Sequence, residues 1–346
     1  MGKTILVVFD ARRHDEKISL GRGGSSTLNS SPDRFVHFKA WLNLLRVSVL
    51  FTVPGDPIAG YLLSTCLRGG KISAVLILPG VVSLLIYCAG LLSNDYFDME
   101  EDRQFRPSRP LAAGLIAPRI ALIVAILLSI DAVILAWLGG FFLGLTASLL
   151  AVIVWGYNAG LKRVAPLSLI LMGACRAMSF LLGAIVAVGL HLPVVVIFAA
   201  VGLAIYVSAV SYIAAGETSS EKTNHKASLP GIALLIWLGG VGFLSRGYAS
   251  FESISICASM PLIIIASIIV IIVFRWGFCV RKDSAASVKQ QAIGSWLRAL
   301  ILMQSWLVWW GFALSASQQY VYLAFAIALI LAWPISAGLA KRFPPT

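Results

Sequence analysis

Charged residues are scarce in this chain of 346 residues. Asp, Glu, Lys and Arg together make up 12% of it, whereas hydrophobic residues make up 59%. Ordinary soluble domains carry about 25% charged residues. The mean hydropathy of +0.90 is correspondingly high. This composition excludes a water-soluble globular protein, and we expect an integral membrane protein.

Cysteine is also sparse, and it lacks the spacing of a metal or disulfide site. The five cysteines sit in or beside apolar segments, with no C-x-x-C and no Cys/His pattern. This excludes a zinc site and a disulfide framework as the organising principle of the fold. We expect them to be small packing residues: Cys66, Cys88, Cys175, Cys257 and Cys279.

The N-terminal segment lacks any long apolar run. MGKTILVVFDARRHDEK contains a run of only five apolar residues, too short for a secretory signal, and Leu6 departs from the myristoylation pattern M-G-x-x-x-[ST]. GRGGSSTLNSSPDR, which follows, is poor in apolar residues. We predict a flexible cytoplasmic tail over residues 1–38 and a membrane domain over residues 39–342.

Long apolar segments recur through the rest of the chain. About 20 apolar residues are needed for a helix to cross roughly 30 Å of hydrocarbon. Segments of this kind lie near 41–66, 72–93, 118–138, 140–157, 166–190, 193–215, 230–249, 258–279, 292–316 and 319–340. The sequence therefore predicts an all-α membrane protein with nine to ten transmembrane helices.

Basic residues concentrate in alternate loops between these segments. With the N-terminus inside, three basic residues fall in outer loops: Arg68, Lys71 and Arg246. Thirteen fall inside: Arg103, Arg106, Arg109, Arg119, Lys162, Arg163, Lys222, Lys226, Arg281, Lys282, Lys289, Lys341 and Arg342. This bias predicts that both ends are cytoplasmic, in the plasma membrane if the chain is bacterial. The net charge of +12 then faces anionic lipid, so no nucleic-acid partner is expected.

One apolar segment ends in the acidic stretch SNDYFDMEED, residues 93–102. On a helix, Asp95, Asp98 and Asp102 fall on one face, with Asn94 beside Asp98. Carboxylates at this spacing repel each other, so we expect a cation between them. Oxygen ligands without His or Cys favour a hard ion, and Mg²⁺ binds through one or two carboxylates plus substrate phosphates. We call these four residues the first acid group.

A simpler interpretation is a helix that leaves the membrane and pairs its acids with Arg103, Arg106 and Arg109. A second acidic stretch, GETSSEK, favours the metal site instead. Its Glu217 and Glu221 share a helix face at the predicted inner end of the sixth span, and we call them the second acid group. The two groups lie four spans apart, which suggests two related four-helix halves that meet around one cavity.

A cationic stretch, YNAGLKR, follows the fourth predicted span. Lys162 and Arg163 close the inner loop after Tyr157. Cations opposite two acid groups suit a phosphate bridged by metal. A pair of basic residues after a span is also the ordinary positive-inside pattern.

These stretches together resemble the UbiA superfamily of intramembrane prenyltransferases. The family pattern N-D-x-x-D-x-x-x-D, then R-P-L-x-x-G, matches Asn94, Asp95, Asp98, Asp102, Arg109, Pro110, Leu111 and Gly114. YNAGLKR resembles the family's Y-x-x-x-x-K-R segment, and GETSSEK stands where the family has a second D-x-x-x-D. The resemblance covers residues 40 to 280, in the same order.

The resemblance implies a ring of nine helices around a cavity open to lipid. It implies Mg²⁺ ions bound by Asn94, Asp95, Asp98, Asp102, Glu217 and Glu221, with the diphosphate contacted by Lys162 and Arg109. The implied reaction is transfer of an isoprenyl group from a prenyl diphosphate to an aromatic or lipid-like acceptor at the cytoplasmic side, with Asp95, Asp98, Lys162 and Tyr157 as catalytic residues. Glu in place of Asp in the second acid group and a tenth span depart from the family pattern.

Other polar residues stand inside apolar segments. Arg176 is expected to line the active-site cavity near substrate, or to pair structurally with a Glu or a helix C-terminus. Arg46 is expected to meet a polar group of the acceptor or to reach lipid headgroups. Asp56 marks a helix break or caps the helix that resumes there. We expect interface or lipid-facing positions for Trp306, Trp309 and Trp310.

Other protein classes fit the sequence less well. CDP-alcohol phosphotransferases carry a D-G-x-x-A-R segment ahead of their acids, which this chain lacks. A secondary transporter would place its acids near mid-bilayer, whereas both acid groups here stand at predicted inner span ends. A catalytically idle lipid-binding relative remains an alternative because Glu217 and Glu221 replace the usual aspartates.

Overall fold

The computed structural model describes residues 31–215, 226–248, 256–282, 285–315 and 319–343. Within these ranges the regular structure is helical, without a strand. The α-helices are α1 (Ser31–Leu44), α2 (Val47–Leu50), α3 (Gly55–Leu67), α4 (Ile77–Phe97), α5 (Met99–Phe105), α6 (Pro118–Leu138), α7 (Phe141–Ala159), α8 (Ala165–Val188), α9 (Val194–Ala215), α10 (Leu229–Leu244), α11 (Ile256–Lys282), α12 (Ala286–Leu314) and α13 (Gln319–Arg342).

Among the described residues, ten helical segments are long and apolar enough to cross a membrane. The first combines α2 and α3 over Val47–Leu67, and the others correspond to α4 and to α6 through α13. Each overlaps one of the segments expected from the sequence, so the all-α membrane fold is confirmed at the upper end of the predicted range. The paired four-helix halves remain a prediction.

The predicted domain boundary at residue 38 falls inside α1, which begins at Ser31. The rest of the predicted tail, residues 1–30, lies outside the described residues.

The first span is broken in the middle. Helix α2 ends at Leu50 and α3 begins at Gly55, with Pro54 between them and Pro57 in the first turn of α3. Proline has no backbone N–H, so the usual hydrogen-bond ladder cannot run through this segment. The break leaves the carbonyl oxygen of Thr52 free to accept hydrogen bonds from other helices.

Helices α3 and α8 pack very closely beside this break. A Cβ on Gly183 would overlap the carbonyl oxygen of Pro57, and a Cβ on Gly60 would overlap that of Phe180. Small residues allow transmembrane helices to approach in this way. The contact fixes the position of Arg176 on α8 relative to the first span.

Helix α12 is the most enclosed long helix after the first span and packs against α3, α9, α11 and α13. The Trp306 and Trp310 rings stack with centroids 5.3 Å apart, and Trp306 also contacts Trp237. Their side chains are buried, so the predicted interface position is wrong for Trp306 and Trp310. Neighbouring helices cover α12 on several sides, which composition alone could not indicate.

Helix α13 is the last of the ten spans in the described part of the chain. It packs against α12 and against α2. The Ser336 hydroxyl donates to the carbonyl oxygen of Ser48 at 2.5 Å, and the Ser305 hydroxyl of α12 donates to that of Ala326 at 3.0 Å. This last span is therefore held against the bundle by side-chain hydrogen bonds.

Candidate functional site

A cavity of about 390 Å³ lies between the first span and helices α4, α7, α8, α9 and α12. Most of its wall is apolar. Four residues predicted from the sequence also line it: Arg46, Asn94, Tyr157 and Arg176. The structure therefore brings side chains from four separate parts of the chain to one space.

The first acid group stands where α4 ends. Asn94 and Asp95 occupy the last turn of α4, and Asp98 separates α4 from α5 with φ −93° and ψ 1°. The backbone N–H of Asp98 donates to the Asn94 carbonyl oxygen at 3.0 Å, and that of Asp102 donates to the Asp98 carbonyl oxygen at 2.8 Å. The predicted single helix is thus two helices, but helical hydrogen bonds continue across the junction.

Asp102 is locked against Arg109. Nη1 of Arg109 donates to both carboxylate oxygens of Asp102, at 3.0 and 2.8 Å, and both residues are buried. The same Nη1 lies 3.8 Å from Oδ1 of Asp95. Arg109 therefore joins two of the acids, and direct coordination of a metal by Asp102 would compete with this contact.

Lys162 reaches the first acid group from the turn after α7. Its Nζ lies 2.5 Å from Oδ1 of Asp98 and 3.1 Å from Oδ1 of Asn94. Arg163, the other basic residue of the pair, is exposed. The structure thus separates the two cations: Lys162 faces the acids and Arg163 faces outward.

Arg46 reaches the group from the start of α2. Its Nη2 donates to Oδ1 of Asp95 at 3.1 Å. Its backbone has φ 46° and ψ 53°, and no other non-glycine residue of the described ranges has positive φ. This left-handed conformation costs roughly 1–2 kcal/mol for an L-residue. Such strain is concentrated at functional sites.

We call the first acid group together with Arg46, Arg109 and Lys162 the mouth cluster. Arg46 and Asn94 belong both to the cluster and to the cavity wall. The cluster therefore lies at one end of the cavity, with anionic and cationic groups side by side.

The mouth cluster fits a magnesium ion that shares its shell with phosphate. No set of three His, Cys, Asp or Glu side chains in the described part of the chain could hold a metal by itself. Asp95 and Asp98 nevertheless offer two carboxylates, and Asn94 offers an amide oxygen. Mg²⁺ is commonly bound by one or two carboxylates, with substrate phosphates and water completing the octahedron.

The second acid group, Glu217 and Glu221, lies outside the described residues. Helix α9 ends at Ala215, two residues before Glu217. Ser211 and Ala214, in its last turn, line the cavity. The chain therefore leaves α9 beside the cavity.

Asn158 is a site residue that the sequence analysis did not single out. Its Nδ2 donates to the carbonyl oxygen of Gly90 at 2.9 Å and to the Ser93 hydroxyl at 2.8 Å. This buried contact holds α7 against α4 and places Tyr157, which is half-buried, in the cavity wall. Its position in YNAGLKR, directly after Tyr157, is the sequence feature that could have identified Asn158 as a site residue.

A second polar cluster lies deeper, at the break of the first span. Arg176 Nη2 donates to the carbonyl oxygen of Thr52 at 2.5 Å, and its Nε lies 2.6 Å from Oδ2 of Asp56. Gln304 Nε2 donates to Oδ1 of Asp56 at 2.6 Å and to the Thr52 carbonyl oxygen at 2.7 Å. We call these four residues the core tie.

The core tie corrects one expectation about Arg176. The predicted structural partner was a Glu or a helix C-terminus. The acidic partner is Asp56 and not a Glu, while the Thr52 carbonyl oxygen lies just beyond the C-cap of α2. Arg176 also lines the cavity, as the alternative required. Gln304 was missed as a partner, and its isolated polar side chain within an apolar segment was the signal.

Known proteins resemble this chain over part of its length. Digeranylgeranylglyceryl phosphate synthase from Methanocaldococcus jannaschii is 29% identical over 160 residues, which are 46% of this chain and 56% of that protein. Protoheme IX farnesyltransferase from Acidiphilium cryptum is 31% identical over 155 residues, 43% of this chain and 47% of that protein. The chain thus spans about half the length of these relatives.

The fold and the family are shared more extensively. A solved structure of digeranylgeranylglyceryl phosphate synthase superposes with a TM-score of 0.54 at 18% identity, covering 79% of this chain and 98% of that one. The UbiA prenyltransferase family model matches residues 58–230, which are 173 of the 346 residues and include Asn94, Asp95, Asp98 and Lys162. The chain belongs to the UbiA prenyltransferase family.

Proposed function

We propose that this chain transfers an isoprenyl group from a prenyl diphosphate to a hydrophobic acceptor. One observation carries the proposal: a cluster of acids and cations closes one end of an otherwise apolar cavity. The cluster suits a diphosphate and the cavity suits a prenyl chain. Membership of the UbiA prenyltransferase family supports the same reaction.

Asp95, Asp98 and Asn94 would hold Mg²⁺, and Glu217 with Glu221 would hold a second ion. When bound, Mg²⁺ neutralises the negative charge that grows on the diphosphate as the allylic C–O bond breaks. Asp102 supports the site indirectly, because it fixes the Arg109 side chain through both carboxylate oxygens.

The cations of the mouth cluster would bind the diphosphate itself. Lys162, Arg46 and Arg109 present N–H donors beside the proposed metal ligands. Charge-assisted hydrogen bonds from these donors become stronger as negative charge grows on the diphosphate, and so favour the transition state. In the reaction, the C–O electron pair leaves with the diphosphate and an allylic carbocation forms.

The cavity protects this carbocation from water. Its wall contains apolar side chains from several helices, such as Ile86, Leu150 and Leu297. Tyr157 lies in the same wall near the mouth, where its ring face would stabilise the cation. A nucleophilic atom of the acceptor then bonds to the prenyl carbon, and loss of a proton completes the transfer.

Two arginines would orient the acceptor. Arg46 and Arg176 both line the cavity and present hydrogen-bond donors to it. The relatives are named as a digeranylgeranylglyceryl phosphate synthase and a protoheme IX farnesyltransferase. We therefore propose a lipid-like or aromatic acceptor that carries oxygen groups.

The side of the membrane that the site faces is proposed from the distribution of basic residues over the predicted loops. Ten apolar helices and the family make the chain an integral membrane protein. Lys162 belongs to the inner set of basic residues, so we propose that the mouth cluster opens toward the cytoplasm, next to anionic lipid.

Release of diphosphate from a prenyl diphosphate by the purified protein tests this function. We expect release that requires Mg²⁺ with donors of several chain lengths, and a loss of about 100-fold or more in Asp95→Ala. Glu101→Ala is the matched control, because Glu101 is an exposed acid in the adjacent helix and should leave the rate unchanged. Wild-type protein that turns over no donor, with any acceptor or with water, would refute the proposal.

A further inference from the structure

The mouth cluster places its own cations on the oxygens proposed for the metal. Lys162 Nζ lies within hydrogen-bond distance of Oδ1 of Asp98 and Oδ1 of Asn94, and Arg46 Nη2 contacts Oδ1 of Asp95. These three oxygens belong to the residues proposed above to hold Mg²⁺. An ammonium or guanidinium group and a divalent ion therefore compete for the same lone pairs.

The cations of the cluster differ in how firmly they are held. Arg109 engages both oxygens of Asp102, and their side chains are only 7% and 5% exposed. Lys162 and Arg46 each contact a single oxygen of their carboxylate partner and are 16% and 25% exposed. Lys162 also carries its charge on a flexible four-carbon chain. Arg109 is therefore a fixed counter-ion, whereas Lys162 and Arg46 can exchange partners.

We propose that Lys162 and Arg46 exclude free divalent cations from Asp95 and Asp98 until a diphosphate draws them away. This inference rests on the proposed function and concerns how its metal site is loaded. A free ion must displace both cations with no new partner for them. A diphosphate supplies that partner, so the metal and the diphosphate each raise the affinity of the site for the other.

The test measures binding of the metal alone. Mn²⁺ is titrated into purified protein in detergent, and free Mn²⁺ is followed by electron paramagnetic resonance. Lys162→Gln keeps a side chain of similar length but removes the competing charge. We expect it to bind free Mn²⁺ about three- to tenfold more tightly than wild type, the scale of a partly exposed ion pair.

Arg163→Gln is the matched control. It removes the same unit of charge from the next residue, which is exposed. We expect its Mn²⁺ affinity to stay within about twofold of wild type, because exposed charges are screened. Equal gains in both variants would mean a general charge effect and would overturn the proposal, as would weaker Mn²⁺ binding in Lys162→Gln.

A second variant covers the case in which Lys162→Gln fails to fold. Arg46→Gln removes the other exchangeable cation and should shift Mn²⁺ affinity in the same direction. With Mn²⁺ saturating, both variants should bind inorganic diphosphate more weakly than wild type. If neither variant binds free Mn²⁺ more tightly than wild type, the proposal is wrong.

Repeating the Mn²⁺ titration in a protein that lacks the second acid group shows whether the tighter binding arises at the first acid group. With Glu217→Gln and Glu221→Gln in place, Lys162→Gln should still tighten Mn²⁺ binding, and loss of the gain would overturn the proposal. Failure here is distinct from failure of the proposed function. Diphosphate release that requires Mg²⁺ and Asp95 would stand even if Lys162→Gln left metal affinity unchanged.

Discussion

The mouth cluster and the core tie use the same kinds of side chain in different surroundings. In the mouth cluster, the Lys162–Asp98 pair is 16% and 23% exposed. In the core tie, the Arg176–Asp56 pair is 11% and 0% exposed, and Gln304 supplies a further hydrogen bond. Charges that reach water can exchange partners for a ligand, whereas a fully buried carboxylate such as Asp56 is held where it is.

This contrast indicates a division of labour along one cavity. Asp95 and Asp98, which can release their counter-ions, lie at the end of α4. Asp56, which cannot release its counter-ion, lies at the break of the first span. The tie serves the break itself, because the Asp56 N–H, the usual helical donor to the Thr52 carbonyl oxygen, donates to the Val53 carbonyl oxygen instead, and Arg176 and Gln304 donate to Thr52 in its place. The core tie therefore supplies the hydrogen bonds that the backbone lacks at the break.

Removing Asp56 should produce the largest effect on stability. Asp56→Ala leaves the Arg176 guanidinium buried without its anion, and loss of one partner of a buried pair costs about 3–5 kcal/mol of unfolding free energy. Unfolding by a denaturing detergent in mixed micelles measures the change. Lys162→Gln, at the mouth, should lower the same quantity by at most about 1 kcal/mol.

A matched double variant separates charge from packing in the core tie. Asp56→Leu with Arg176→Met removes both charges and keeps much of the volume, so it should be more stable than Asp56→Ala. If Asp56→Ala unfolds like wild type, the tie has no structural role, and the contrast between the two clusters fails.

Much of the mouth cluster could be predicted because its residues are close in sequence. Asn94, Asp95 and Asp98 occupy neighbouring turns of one segment, so helical periodicity alone groups them. In the structure Lys162 Nζ lies 2.5 to 3.1 Å from oxygens of Asp98 and Asn94, and its predicted contact with a diphosphate stays a prediction. The ten spans were predictable for a similar reason, since hydropathy is a local property.

The core tie could not be predicted, because its residues are far apart in sequence. Asp56 and Gln304 are separated by 248 positions, and Arg176 lies between them on a third helix. Each looked like an isolated polar residue until packing brought the three together. Trp306 was misplaced for the same reason, because burial depends on which helices surround α12.

The close contact between α3 and α8 offers a second, smaller test of the rigid region. Gly183→Ala would place a methyl group against the backbone carbonyl oxygen of Pro57, which cannot move as a side chain can. We expect a loss of about 1–3 kcal/mol in unfolding free energy, as for other overpacked sites. The measurement is the same detergent unfolding.

Gly239→Ala is the control for backbone effects. Gly239 lies inside α10, and no atom lies within 4 Å of the position that the new methyl group would take. Alanine should therefore keep or raise stability, by up to about 1 kcal/mol. Equal losses in both variants would mean that the contact between α3 and α8 does not determine the effect.

The last predicted effect is on catalysis and concerns Tyr157, in the cavity wall near the mouth cluster. If its ring face stabilises the carbocation, Tyr157→Phe should retain most activity, and Tyr157→Leu should lower kcat by about three- to thirtyfold, the range of a cation–π contact. The donor is uncharged at the reacting carbon before ionisation, so KM should change little. Equal losses in both variants would assign the role to the hydroxyl group. If both variants unfold like wild type, Tyr157 resembles the mouth cluster and not the core tie, because its ring then contributes to the reaction and not to the stability of the fold.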